Sequence, residues 1–195
     1  MPSAFALSTR TGRPCPPVKS LLDEHEIRAG VERLARAIQE QYAGRPLTII
    51  CVLTGSMVLV ADLIRRLDLP LRVGLVTARS YRGGATSPGA LTINAEMLPD
   101  IEGRHVLLVD DIFDTGHTLA ALLTQLDSLR PASVRSAVLL RKLGRQEVAI
   151  VPDYVGFDIP DRFVVGYGLD YNDLYRNLPY VAVLEDEDLA EGPPA

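Results

Sequence analysis

The chain has 195 residues, a formal net charge of -5 at pH 7 and an apolar fraction of 47%. That length suits one domain with a sizeable core, and the acidic balance argues against general nucleic-acid or anionic-membrane binding. Two cysteines, Cys15 and Cys51, form no disulfide framework or metal spacing, no run approaches the ~18 apolar residues of a membrane span, and the N-terminus lacks a signal-peptide pattern, so a soluble cytoplasmic protein is expected.

Residues 1–18 mix Ser, Thr, Arg and Pro without a period and read as a loose N-terminal arm. One domain is expected over 19–184. A helix is predicted from Asp23, with Glu26 as its capping partner. Ile27, Val31, Leu34 and Ile38 carry it to Tyr42, and Gly44 and Pro46 break it. Residues 48–53 form an apolar run of buried-strand character, with Cys51 as a buried thiol. Thr54-Gly55-Ser56 then leads into a helix over 58–67, and 71–78 is the next strand. That βαβ order implies a parallel sheet with a right-handed crossover. Residues 80–94 are rich in Gly, Ser and Thr and read as a long lid-like loop, with Tyr81 and Arg82 able to reach a ligand.

The stretch 106–119 carries the chemistry. An apolar strand over 105–109 runs into Asp110 and Asp111, then Ile112 and Phe113. Asp114-Thr115-Gly116-His117-Thr118 follows and opens a helix over 115–129, with Leu119, Leu122, Leu123, Leu126 and Leu129 in period. A loop between a strand end and a helix start offers free backbone N–H groups and the positive end of the helix dipole, which suits a phosphate. Gly116 lets the backbone approach an anion closely, and Thr115 and Thr118 add hydroxyl donors. Three carboxylates would repel a bare phosphate, so the ligand must also carry hydroxyls or a metal. A ribose phosphate fits. A plain helix N-cap with surface acids is the alternative reading of Asp-Thr-Gly.

Pro131 ends that helix, and a strand over 134–140 delivers Arg141 and Lys142 at its carboxyl end, where open α/β sheets bind ligands. Two short apolar pieces follow, Val155-Gly156-Phe157 and Phe163-Val164-Val165, around the turn Ile159-Pro160-Asp161. A strand over 180–184 closes the fold, and the acidic tail 185–195 is expected to be disordered.

Several stretches then agree. Leu53-Thr54-Gly55-Ser56, Ser80-Tyr81, Val109-Asp110-Asp111-Ile112-Phe113-Asp114-Thr115-Gly116, Arg141-Lys142, Pro152-Asp153-Tyr154-Val155-Gly156-Phe157 and Phe163-Val164-Val165-Gly166-Tyr167-Gly168-Leu169-Asp170-Tyr171-Asn172 occur in this order. Over residues 20–184 the chain resembles the hypoxanthine(-guanine) phosphoribosyltransferases of the type I phosphoribosyltransferase family. The resemblance implies an α/β fold, a twisted parallel sheet flanked by helices, with a small hood largely from 153–184. It implies transfer of ribose 5-phosphate from phosphoribosyl pyrophosphate to N9 of a 6-oxopurine, with Mg²⁺ as cofactor and pyrophosphate released. The partners implied are those two small-molecule substrates, with neither nucleic acid nor membrane, in a homodimer or homotetramer.

By the same resemblance, Asp114 exchanges a proton with purine N7. Asp110 and Asp111 engage the ribose hydroxyls directly or through metal, and residues 114–118, His117 among them, hold the 5-phosphate. Thr54, Gly55 and Arg176 meet pyrophosphate. Lys142 donates to purine O6, Phe163 stacks on the base, and the backbone of Val164 binds its edge. Asp170 lies beside the purine and holds Mg²⁺, with Asp110 and Asp111 as further metal contacts. Ser80 and Tyr81 belong to a closing flap. Two positions depart from the family pattern. Thr54 stands where Lys or Arg is common, and His117 where Lys is common, which makes His117 a peripheral residue. An RNA-binding regulator of the same fold carries Tyr in place of Asp114, and a ligand-sensing module has no need of Asp114, Lys142 and Asp170 together.

Overall fold

The computed structural model describes residues 19–80, 91–94, 96–185 and 188. The arm 1–18, with Cys15, and most of the tail lie outside the described residues, as does flap residue Tyr81.

Helix α1 (Glu24–Tyr42) starts as its sequence predicts. The Asp23 carboxylate accepts from the Glu26 N–H at 2.8 Å, and the Glu26 carboxylate accepts from the Asp23 N–H at 2.8 Å. This reciprocal cap satisfies two N–H groups that the first turn leaves open. Strand β2 (Leu47–Leu53) and helix α2 (Met57–Ile64) follow, then β3 (Leu71–Ser80) and β4 (Leu91–Asn94). The expected lid loop is therefore strand at both ends. β4 pairs antiparallel with residues 77–80 of β3, because Leu91-Thr92-Ile93 suits a strand even within a Gly-rich stretch.

Strand β5 (His105–Phe113), helix α3 (His117–Asp127), β6 (Ser133–Lys142) and β7 (Tyr154–Ile159) complete the main sheet. Its order is β4-β3-β2-β5-β6-β7, and every pairing except β3–β4 is parallel. The central strands read as unbroken apolar runs because both their faces are buried. Leu47, Ile49, Cys51, Leu107 and Val109 pack with α1 and α2, while Ile50, Val52, Val106 and Leu108 pack with α3. Cys51 is a buried free thiol.

A second sheet, of order β1-β9-β8, forms the hood from β1 (Lys19–Leu22), β8 (Phe163–Val165) and β9 (Val181–Leu184). Two parts of the expected hood boundary shift. Within 153–184, Tyr154–Ile159 joins the main sheet, pairing parallel with β6, with Gly156 and Ile159 buried. The segment just after the arm supplies β1 instead. One hood face, Val164, Val181 and Val183, packs on the α1 side of the main core; the other, Val165, Ala182 and Leu184, closes over Tyr175 and Leu178.

Candidate functional site

The strand order reverses direction between β2 and β5, since the chain builds outward from β2 through β3 and from β5 through β6. Ligands of open α/β sheets bind outside the strand carboxyl ends at such a point. β5 runs beyond the predicted 105–109 to Phe113, and its pairing with β2 stops at Cys51–Val109. From Asp110 onward β5 is held by β6 alone, with Asp110 opposite Val138 and Ile112 opposite Leu140. The two strands thus part where the carboxylates begin. Asp110 and Asp111 sit on a strand end rather than in a loop.

A cavity of about 230 Å³ opens there, lined by Asp110, Asp111, Asp114, Thr115, Gly116 and Thr118 among others. Asp111 accepts from the N–H of Ile112 at 2.8 Å, and Asp110 from the N–H of Asp111 at 3.0 Å. Burial, and for Asp110 the neighbouring Asp111, push both carboxyls above the ordinary carboxylate range. The hydrogen bonds that Asp111 shares with Asp110 and accepts from the Ile112 N–H, and after them the charge of Arg176, pull it back toward ionisation. A recessed carboxylate pair that resists double ionisation is a chemical fit for a hard divalent cation. Among the described residues no three carboxylate, His or Cys side chains converge into a ligand cluster. The cleft therefore presents one pair, and Asp170 is not gathered with it.

Gly116 caps α3 at φ +92°, in the left-handed region that favours glycine. A Cβ there would lie 2.5 Å from Val148 and 2.8 Å from the Phe113 ring. No side chain caps this helix start, so its first-turn N–H groups are left to an incoming anion. His117 is 65% exposed and pairs with Glu147 at 2.9 Å, at the rim as expected.

The turn after β2 closes the cleft from the other strand. The Leu53–Thr54 peptide is cis, and Thr54 is exposed. Gly55 sits against the Asp111 carboxylate with no room for a Cβ. Arg176 is tied into its own segment. Its guanidinium donates to the Gly168 carbonyl and the Asp170 carboxylate, both at 2.8 Å, and to Asp173 at 3.2 Å. Asp170 also accepts from the N–H of Asp173 at 2.9 Å. This pair fixes the turn that lies over Gly55.

Lys142, the last residue of β6, is only 12% exposed, and its Nζ lies 3.3 Å from Asp114 Oδ2. Asp114 is 37% exposed at the cleft mouth. Across from it Phe163 is 41% exposed and meets Tyr171 edge-on at 5.6 Å. Val164 is buried on β8, which lies at the edge of its sheet among the described residues. Of the flap, Ser80 closes β3 opposite Leu91.

Two residues escaped sequence reasoning. Arg145 Nε donates to Asp114 Oδ1 at 2.9 Å, and Asp161 Oδ1 lies 3.5 Å from Lys142 Nζ and 3.7 Å from Arg145 Nε. The one available signal was the turn Leu143-Gly144, which returns the chain toward the strand end. The β6–β7 loop is pinned to the cradle by the Glu147 N–H, which donates to the Thr115 carbonyl at 3.0 Å.

A family model described as the phosphoribosyl transferase domain matches residues 17–172. A hypoxanthine-guanine phosphoribosyltransferase from Streptococcus pneumoniae is 41% identical over 169 residues, 87% of this chain and 94% of that protein. One from Staphylococcus epidermidis is 42% identical over 167 residues, 86% of this chain and 93% of that protein. The crystal structure of a hypoxanthine phosphoribosyltransferase from Staphylococcus aureus superposes with a TM-score of 0.82 at 40% identity, covering 87% of this chain and 92% of that one.

Proposed function

The chain belongs to the phosphoribosyl transferase family, and on that premise we propose that it moves ribose 5-phosphate from phosphoribosyl pyrophosphate to N9 of a 6-oxopurine. It is a phosphoribosyltransferase of purine salvage, as its relatives are named. The RNA-binding and sensor readings lose their support with those names, and Asp114 and the net charge of -5 weigh against them independently. The observation that carries the reading is the cleft itself. One switch point gathers paired carboxylates, an uncapped helix start and, 3.3 Å apart, Lys142 and Asp114.

The 5-phosphate sits on the first-turn N–H groups of α3, with Thr115 and Thr118 as further donors. Asp110 and Asp111 accept from the ribose hydroxyls. Mg²⁺ would neutralise the departing pyrophosphate, with the Asp110–Asp111 pair as one candidate protein contact and Asp170, apart from that pair on Arg176, as another. Gly55 and Thr54 offer backbone to that pyrophosphate, and Arg176 holds the turn above it. Positive charge develops at C1 of the ribose as the bond to pyrophosphate lengthens, and neighbouring carboxylates favour it. Lys142 donates to O6 of the base, Phe163 covers its face and the outer backbone of β8 meets its edge. Asp114 takes or returns the N7 proton. Ser80 and Tyr81 are the residues assigned to keeping water from C1. The protein acts in the cytoplasm as a homodimer or homotetramer. No described helix is long and apolar enough to cross a membrane.

The test is turnover with phosphoribosyl pyrophosphate, Mg²⁺ and a panel of hypoxanthine, guanine, xanthine and adenine, with nucleotide and pyrophosphate both measured. Nucleotide from at least one 6-oxopurine and almost none from adenine is expected. Equal turnover of adenine, or none with any base, would refute the reading.

A further inference from the structure

Lys142, Asp114, Arg145 and Asp161 form a closed ring of alternating charge. Lys142 Nζ lies 3.3 Å from Asp114 Oδ2 and 3.5 Å from Asp161 Oδ1, while Arg145 Nε lies 2.9 Å from Asp114 Oδ1 and 3.7 Å from that same Asp161 oxygen. The four groups come from four places: the turn after β5, the end of β6, the β6–β7 loop and the turn before β8. The two cations hold different oxygens of Asp114.

We propose that Arg145 is the positioning residue of Asp114, holding that carboxylate in place when Lys142 turns to the base. The inference rests on the roles given to Asp114 and Lys142 in the proposed function. An ammonium that donates to O6 of a purine gives up geometry it now shares with Asp114 and Asp161. Asp114 Oδ2 is thereby exposed toward the base, and Oδ1 must keep a partner or the carboxylate rotates about its Cβ–Cγ bond. Arg145 supplies that partner through a single N–H of a planar, permanently charged group. Its loop is held to the cradle by the Glu147 N–H on Thr115 and by Val148 packing under Gly116. The guanidinium therefore stays aligned without help from Lys142. Asp161 serves as the counter-charge that Lys142 and Arg145 share, so Arg145 remains paired after Lys142 leaves.

Arg145 and Asp161 are 43% and 52% exposed, so their ion pairs contribute little to stability. The role is read out in turnover. The charged groups around Asp114 are Lys142, Arg145 and Asp161, with Glu147 and His117 beyond Arg145 and the Asp110–Asp111 pair on the strand before it.

The experiment compares parent, Arg145→Ala, Arg145→Lys, Asp114→Asn and Asp114→Asn/Arg145→Ala at saturating phosphoribosyl pyrophosphate and Mg²⁺. For Arg145→Ala we expect kcat to fall about tenfold at neutral pH, the loss typical of a misplaced reacting group. KM for phosphoribosyl pyrophosphate should stay within about twofold, with Tm within about 2 °C of the parent, as for an exposed ion pair. Arg145→Lys should restore much of kcat by returning a cation to Asp114 Oδ1. In the Asp114→Asn background, Arg145→Ala should cost less than about twofold, because the two act through one group. An unchanged kcat in Arg145→Ala, alongside a crippled Asp114→Asn, overturns this inference alone. So does a full additive loss in the double variant. An Asp114→Asn protein as fast as the parent removes the proton role of Asp114, and this inference with it.

Discussion

The contact between Gly55 and Asp111 ties the two sides of the cleft together, and Gly55→Ala tests it. A Cβ at Gly55 would overlap the Asp111 carboxylate oxygen and lie 2.6 Å from its Cγ. That carboxylate is not the loose end of a flexible chain, because it accepts from the Ile112 N–H at 2.8 Å. The loop cannot retreat either, since the Gly55 carbonyl already sits against Gly168, whose own carbonyl Arg176 holds at 2.8 Å. Forcing a methyl into such a site costs ~1–3 kcal/mol, and losing the Ile112 hydrogen bond adds ~1 kcal/mol. For a chain of this size that sum lowers Tm by roughly 5–15 °C. Thermal unfolding by circular dichroism reads the stability, and calorimetric titration with phosphoribosyl pyrophosphate and Mg²⁺ reads the displaced carboxylate as weakened binding. Asp111→Ala in the Gly55→Ala background removes the clash, so much of the lost Tm should return. A Gly55→Ala protein that melts within about 2 °C of the parent and binds as well would refute the steric argument.

Three further outcomes are expected. Lys142→Met should sharply cut kcat/KM for hypoxanthine and guanine and narrow their lead over adenine, because a site built on donor–acceptor matching rejects the wrong base by up to ~10⁴-fold; a base panel in which the variant keeps its full preference counts against the pocket as drawn. The raised Asp110 carboxyl means the native chain holds a proton that the unfolded chain has released above the ordinary carboxylate range, so stability falls as pH rises through that window. Asp110→Asn should accordingly raise Tm by about 2–4 °C at pH 7, with the gain fading near pH ~4, and a gain that grew on acidification would contradict it. Arg176→Met releases the Gly168 carbonyl and the Asp170 carboxylate together, so Tm and the affinity for pyrophosphate should both fall, and a loss of affinity alone would make Arg176 a direct ligand contact instead.

Much of this protein is local. The cap of α1 is written in Asp23 and Glu26, and the buried strands are written in unbroken apolar runs that no helix period interrupts. The cradle is legible for the same reason. A strand, a glycine that must take φ +92° and an apolar helix follow one another within a few residues, and the backbone N–H groups they expose depend on nothing distant. Tertiary structure decided what the distant pieces do to each other. β5 could run on to Phe113 only because β6 continues alongside it after β2 has stopped, a matter of strand length in two partners. The hood took β1 from before the first helix and left Tyr154–Ile159 to the main sheet, since pairing depends on which edge is open. Arg176 turned inward to Gly168 and Asp170, and Arg145 and Asp161 arrived at Asp114 and Lys142 from separate turns. A charge pattern in sequence names candidates. Which carboxylate meets which cation is set by where the strand ends and loops come to rest, and Coulomb attraction at 3 to 4 Å acts only after packing has brought them there.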